Sequence, residues 1–402
     1  MTMKPVKVAL IGSGNISYTY LNTLVNGGFS IVDVVGCSDL IAERSQARAQ
    51  LFGIRQMSND EILADPEIEI VLNTTQLWHH SKMTRQILEA GKHTYSEKAM
   101  ANNYEDALAN YELAAAKGLR IGSAPDIYMG SAYQTARKLI DDGWIGQPLF
   151  AHAYCFRGYG AHERAEDGGP PRSLYQLSRG SSITYDMSGY YINVLVHLLG
   201  PVRRVSGYSR FFEDRIFTNP RHPKYKQPVD KLSGESLMMG CLEFENGTYG
   251  NLVMCAEGFW PEIPRVEIFG TLGTLTLPDP NCFGGWGNDV YMTRVGNEGS
   301  FKVPFTHGFG DTDPGITAIS GIPEPCHNSW RGIAVVDMAW AIRRNRPHRS
   351  SGELALHTVE IVNAIDECNA DGMVRTIRSC PSRPEPLTAG YFGASAEASI
   401  DT

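Results

Sequence analysis

From residue 6 onward the chain alternates short β-branched runs with segments whose apolar positions recur at helical spacing. The runs are VKVALI (6–11), IVDVVGCSD (31–39), IEIVLNTT (68–75), HTYSE (93–97) and RIGSA (120–124). Such alternation predicts a parallel sheet with crossover helices, a doubly wound fold. Gly91 and Gly118 fall where a helix hands over to a strand, the place of a helix C-cap. After SAPDIYMG (123–130) the pattern changes. Residues 131–142 read as one more amphipathic helix, and the chain then becomes β-rich. CLEFENGTYGNLVM (241–254) predicts a hairpin with Asn246-Gly247 as a two-residue turn, and RVEIFGTLGTLTL (265–277) predicts a second. Helical patterns over Trp330–Arg344 and Gly352–Ala370 follow. The expected architecture is α/β: an N-terminal Rossmann-type parallel sheet over residues 1–124, then an α+β domain over 125–402 with a largely antiparallel open sheet.

One helical stretch, YDMSGYYINVLVHLLGP (185–201), carries two kinds of face. At 100° per residue, Asp186, Tyr190, Asn193 and His197 fall within roughly a 60° arc, with Met187, Tyr191, Val194, Leu195 and Leu198 centred about 120° round. The apolar flank packs into a core, and the polar stripe meets water, a partner chain or a ligand pocket. Gly200-Pro201 supplies the stop.

With 402 residues the chain exceeds what one core usually supports, in keeping with two domains. A net charge of −8 without a long basic run argues against nucleic acid or an anionic membrane as the main partner and favours a small-molecule ligand. The N-terminal MTMKPVKVALIGSG runs straight into glycines and reads as neither a signal peptide nor a membrane span, so a cytoplasmic location is expected. The cysteines form no CxxC and no Cys/His cluster, so neither a metal site nor disulfides are expected.

The candidate chemistry begins at Ile11-Gly12-Ser13-Gly14-Asn15-Ile16-Ser17, which follows a strand and opens a helix. Gly12 permits the tight turn, and Gly14 lets the backbone approach a pyrophosphate at the helix N-terminus, with Asn15 and Ile16 beside it. Ser17 replaces the third glycine. The second strand ends at Asp39, 22 residues beyond Ser17, where a carboxylate can bond a ribose diol and would repel a 2′-phosphate. No arginine lies within four residues of Asp39, so NAD is favoured over NADP. Asn73-Thr-Thr-Gln-Leu-Trp-His-His80 and Ser96-Glu97-Lys98-Ala99 follow the next two strands, where ligands sit in open α/β sheets. Thr75 is a cofactor contact on this reading. His80 is open between a cofactor-pocket role and a helix-start role.

Here the chain resembles the glucose–fructose oxidoreductase / inositol dehydrogenase / MocA family, which joins a nucleotide domain to an α/β domain with an open sheet. The resemblance rests on Glu97-Lys98, GWIGQP (143–148), RVEIFGTLGTLTLPDPN (265–281) and RGIAVVDMAWAIRRNRPHRSSGELALH (331–357). In that family the fourth strand ends in Glu-Lys-Pro, with the lysine beside the nicotinamide and the substrate hydroxyl. Glu97 and Lys98 match, and Ala99 departs from the proline. The family's helix carries Asp, then His four residues on, then Asp three further on, all directed at the substrate. Those places here hold Asp186, Tyr190 and Asn193, so the resemblance makes the polar stripe a sugar-binding face. It also implies a homo-oligomer, because the family's second sheet leaves an apolar face to cover.

Oxidising a secondary alcohol needs a base for the hydroxyl proton, and reduction needs the same group as an acid. A free phenol ionises only near about pH 10, but a nearby ammonium stabilises the phenolate. Tyr190 is thus the expected proton-transfer group, Lys98 its cation, and Asp186 a holder of Lys98 or of sugar hydroxyls. Arg157, Asp126 and His162 are candidate substrate contacts, with salt bridges an equal reading for the first two. His197 is read as structural. Three functions follow: an NAD-dependent oxidoreductase acting on a sugar, glycoside or cyclitol; NAD-assisted glycoside cleavage or epimerisation through a transient keto-sugar; and a non-catalytic nucleotide-sensing regulator. Retention of Glu97-Lys98 with an ionisable residue at 190 argues against the third.

Overall fold

A computed structural model describes residues 3–157, 182–211, 220, 225–228, 234–256, 263–285, 287–310, 330–390 and 397–401. The first sheet has six strands: β1 (Val6–Ile11), β2 (Val32–Ser38), β3 (Arg55–Gln56), β4 (Ile70–Asn73), β5 (His93–Ser96) and β6 (Ile121–Ser123). Their order is β3-β2-β1-β4-β5-β6, and every pairing is parallel. Helices α1 (Asn15–Asn26), α2 (Ala42–Phe52), α3 (Asn59–Ala64), α4 (Leu77–Glu89) and α5 (Tyr104–Ala116) connect them. The four residues of β4 are all buried, as expected of strands covered on both faces. Gly91 and Gly118 take positive φ of 77° and 63° just beyond α4 and α5, the helix ends read from the sequence. Strand order reverses between β1 and β4, and the crevice above that switch point is where open α/β sheets bind ligands.

Among the described residues the second sheet has nine strands: β7 (Pro148–Phe156), β8 (Val202–Arg210), β9 (Leu237–Phe244), β10 (Tyr249–Cys255), β11 (Val266–Gly270), β12 (Gly273–Leu277), β13 (Val290–Arg294), β14 (Ser300–Val303) and β15 (Arg375–Thr376). They run in the order β14-β13-β12-β11-β7-β10-β9-β8-β15, antiparallel throughout except for the β7–β10 pair. Both expected hairpins form. The first differs in its turn: Phe244 N–H donates to Thr248 O at 2.9 Å and Phe244 O accepts Gly247 N–H at 3.0 Å, leaving the three residues Glu245, Asn246 and Gly247 in the loop. Only Gly247 among them takes positive φ, 85°, whereas a two-residue type I′ turn requires two such residues. Helices α6 (Ser131–Asp141), α7 (Ile183–Leu199) and α9 (Gly352–Asp371) cover one face of this sheet. The opposite face presents Tyr208, Met239, Tyr249 and Tyr291, between 39% and 65% exposed, around a half-buried cluster of Phe150, His152, Tyr154 and Phe269.

Helix α7 narrows the three alternatives left for its polar stripe: all of its residues from Ile183 to Leu199 are buried. Water therefore does not meet its polar stripe. The helix α8 (Ile333–Arg344) also starts later than its apolar pattern suggested, because Gly332 takes φ 104°, which a helix interior does not admit. Residues 330–332 instead form a turn, and Arg331 points from it toward α7. Asp126 fixes this turn: its Oδ2 accepts the backbone N–H of Gly332 at 2.8 Å and of Ala334 at 3.2 Å. Further along, Asp337, wholly buried, holds Arg349 and Arg346. The last helices also join the first sheet, through Arg343 on Glu69 and Ser350 Oγ donating to Ser123 O at 2.8 Å.

Burial pushes the Asp126 carboxyl up to about 6, against the pull of Ala334 N–H, Gly332 N–H and Arg331. A folded-state value above the ordinary 3.8 means that the acid form is favoured on folding, so the contribution to stability is complete below about pH 3.8 and is lost as pH rises through about 6. The stability of the protein relative to its Asp126→Asn variant should therefore fall between pH 4 and pH 7.5, by about 3 kcal/mol. Denaturant melts of both chains across that range check this, and a difference independent of pH would refute the assignment.

Candidate active site

Two regions meet at the C-terminal ends of β1, β2, β4 and β5. The first is a cleft of about 950 Å³ lined by Gly12, Gly14, Asn15, Ile16, Asp39 and Thr75, six of the residues singled out from the sequence. That size lies within the roughly 300–1,000 Å³ of small-molecule sites. Gly12 has φ 104°, and a Cβ there would stand 2.6 Å from the Thr74 carbonyl, so only glycine fits. Gly14, the N-cap of α1, has no heavy atom within 4 Å of a would-be Cβ, which leaves the helix N-terminus open to a pyrophosphate. Asp39 Oδ2 accepts Ser13 N–H at 2.7 Å and Oδ1 accepts Ile41 N–H at 2.8 Å. Each carboxylate oxygen keeps a lone pair for a ribose hydroxyl. These residues fit a dinucleotide.

The wall of the cleft adds cations that local spacing did not reveal. Arg44 and Lys82 line it, and Arg48 donates from Nε to Ser17 Oγ at 3.0 Å. Arg44 lies five residues past Asp39, and the α2 helix brings it round to the cleft. Ser17 is itself wholly buried, so the hydroxyl that replaces the third glycine is absorbed by Arg48 and by the Gly14 carbonyl at 2.5 Å.

His80 and Glu97 stand behind the cleft and shape its backbone. The Nδ1 and Nε2 atoms of His80 face the carbonyl oxygens of Ala99 and Thr75, each at 2.9 Å, and burial lowers its pKa. Glu97 accepts the Tyr20 hydroxyl at 2.7 Å and the Lys98 N–H at 3.1 Å. The Lys98–Ala99 peptide between these two anchors is cis.

The second region is a buried polar centre between the sheets. Lys98 Nζ, at the end of β5, forms an ion pair with Asp186 Oδ1 on α7 and lies 5.6 Å from the Tyr190 ring centroid. Lys98 thus faces the ring and the carboxylate. The phenol oxygen is held by Arg331, whose Nη1 donates to Tyr190 Oη at 2.7 Å and whose Nη2 donates to Asn281 Oδ1 at 2.7 Å. Arg331 was not legible because the sequence pattern places it in the first turn of a helix over Trp330–Arg344, where an arginine reads as solvated.

The remaining candidates are placed elsewhere. Asn193 donates to Pro125 O at 3.1 Å and accepts from Thr358 Oγ1 at 2.8 Å, so its amide ties α7 to α9. Asp126 is 1% exposed and spends Oδ2 on the turn before α8. Arg157 forms an ion pair with Asp279 at 3.1 Å, which Tyr191 also contacts. His197 packs on Tyr128 and contacts Gln134 inside the core. His162 lies outside the described residues. Among the described residues no group of three or more His, Cys, Asp or Glu side chains is placed to hold a metal ion, and no helix is long and apolar enough to cross a membrane.

The chain matches known proteins over most of its length. Residues 6–124 fit a family profile described as an oxidoreductase family with an NAD-binding Rossmann fold, and residues 133–276 fit the GFO/IDH/MocA C-terminal domain. It is 31% identical to an inositol 2-dehydrogenase of Saccharopolyspora erythraea over 285 residues, which cover 68% of this chain and 74% of that protein. It is 27% identical to an NAD-dependent scyllo-inositol 2-dehydrogenase of Bacillus subtilis, over 68% of this chain and 73% of that one. Levoglucosan dehydrogenase, solved with NADH and levoglucosan, shares the fold with a TM-score of 0.73 at 21% identity, over 93% of this chain and 100% of that one. The cleft at the switch point and both matched domains make the chain an NAD-dependent oxidoreductase of the Gfo/Idh/MocA family.

Proposed function

We propose that this enzyme is a dehydrogenase acting on a secondary hydroxyl of a cyclitol, sugar or glycoside, with the corresponding ketone as its other substrate. The observation that carries this reading is the Lys98–Asp186 pair set beside Tyr190 at the end of β5, next to the nucleotide cleft. NAD, when bound, supplies a hydride acceptor or donor at its nicotinamide. Lys98, anchored by Asp186, brings its positive charge to the place where the substrate oxygen gains negative charge. Tyr190 Oη exchanges the hydroxyl proton. The relatives named as inositol dehydrogenases, and the levoglucosan dehydrogenase of the same fold, support a ring polyol or anhydro-sugar as substrate class.

Mixing the protein and NAD with a panel of inositols, free sugars and glycosides, and following NADH absorbance and product mass, identifies the substrate. A glycoside cleaved or epimerised without net NADH would replace this reading with transient oxidation. With the substrate in hand, Tyr190→Phe should lower kcat about 10²-fold or more and leave NAD affinity unchanged. Near-normal kcat in Tyr190→Phe together with loss of activity in Lys98→Met would transfer the proton-exchange role to Lys98.

Asp39 supports selection of NAD over NADP. Asp39→Ala should narrow the ratio of the two affinities about tenfold, measured by quenching of protein fluorescence. An unchanged ratio would show that Asp39 does not read the 2′ position.

The second sheet's other face, where Tyr208, Met239, Tyr249 and Tyr291 are exposed and no described helix packs, suits a second copy of the chain. Light scattering at micromolar concentration should find a homo-oligomer that Met239→Glu with Tyr249→Glu dissociates. A wild-type monomer would refute this.

A further inference from the structure

Arg331 is 7% exposed, and among the described residues both of its side-chain hydrogen bonds go to neutral oxygens, Tyr190 Oη and Asn281 Oδ1. Its guanidinium carbon also lies 5.2 Å from the Tyr190 ring centroid. A charge buried this far is costly unless something nearby gains from it. The nearest oxygen that can acquire negative charge is the phenol's.

The other charged groups around Tyr190 are already engaged. On α7 itself Asp186 holds Lys98, which approaches from the end of β5. Glu97, beside Lys98, is bonded by Tyr20 from α1. Asp126, after β6, is turned to the backbone of 332 and 334. Arg157, at the end of β7, pairs with Asp279. Burial works against the Arg331 charge, yet Tyr190, Glu97 and Tyr20 outweigh it and hold the guanidinium above its ordinary range.

A guanidinium only donates, so Tyr190 Oη accepts from Arg331 and its own hydrogen is left to point elsewhere. We propose that Arg331 is the positioning residue of the reaction: it fixes the Tyr190 oxygen from behind and stabilises the phenolate formed whenever that oxygen gives up its proton. This rests on Tyr190 as the proton-exchange group. Asp126 and Asn281 hold Arg331 in place, one through the backbone of the turn before α8 and the other through the guanidinium. In one direction the phenolate oxygen takes the substrate's hydroxyl proton and becomes a phenol; in the other it returns that proton to the substrate oxygen. The Arg331 charge is unchanged in both.

The test compares Arg331→Lys, Arg331→Gln and Arg331→Met with wild type and with Lys98→Met, each first shown to bind NADH and to melt cooperatively. Tyr190 ionisation is read as the tyrosinate absorbance that Tyr190→Phe lacks, without substrate, and the kcat–pH profile is recorded separately. Removing the charge in Arg331→Gln or Arg331→Met should move the Tyr190 transition and the rising limb of kcat upward by about one pH unit or more, and Arg331→Lys should restore most of the shift. KM should change less than kcat. An unmoved transition in folded Arg331→Gln, or a larger shift in Lys98→Met, overturns the proposal. If the transition moves as expected while Tyr190→Phe keeps its turnover, the phenolate is stabilised by Arg331 but is not the proton-exchange group. The spectroscopic and kinetic arms therefore fail separately.

Discussion

A charge removed from water must be matched where it lies, and the contact between Lys98 and Asp186 is where that requirement binds the two halves of the molecule. The lysine comes from the end of a strand in the parallel sheet and the carboxylate from a helix on the antiparallel one. Their side chains are 17% and 5% exposed, so neither can relax into solvent if the sheets shift. The placement of α7 relative to the parallel sheet thus becomes an electrostatic constraint. Glu97 with Tyr20, and His80 with the Thr75 and Ala99 carbonyls, fix the lysine's backbone from the cofactor side.

Helix α7 shows how an all-buried element can still carry a polar stripe. Its four polar residues do not share one partner. Asp186 and Tyr190 face two cations, whereas Asn193 and His197, one and two turns further on, are consumed by Pro125, Thr358 and Gln134. The first half of the stripe meets buried cations and the second half is a satisfied interior. Helical spacing identifies the stripe but cannot divide it, because the division depends on which distant loops end beside each turn.

The same distinction explains what was legible in the sequence. Gly12, Gly14 and Asp39 could be read because strand, turn and helix are contiguous and each places its neighbour. The two sheets, the glycine helix ends and the second-sheet hairpins were legible for the same reason. Arg331 and the true role of Asp126 were not, since they touch residues 141 and 206 positions away. Arg44 escaped because a helix brings round to the cleft a residue that linear counting leaves outside it. The start of α8 escaped because apolar periodicity continues through Gly332, whose φ ends the helix.

The order of the second sheet has a consequence for how such a molecule avoids unwanted assembly. An open sheet exposes unpaired backbone groups at its two ends, the usual route to strand addition and aggregation. Among the described residues the ends are β15, two residues long, and β14, four residues long and carrying Lys302 in ion pair with Asp289. Neither offers a template long enough for another chain to extend. Any association that uses this sheet is therefore left with its broad aromatic face, where side chains rather than backbone ladders choose the partner.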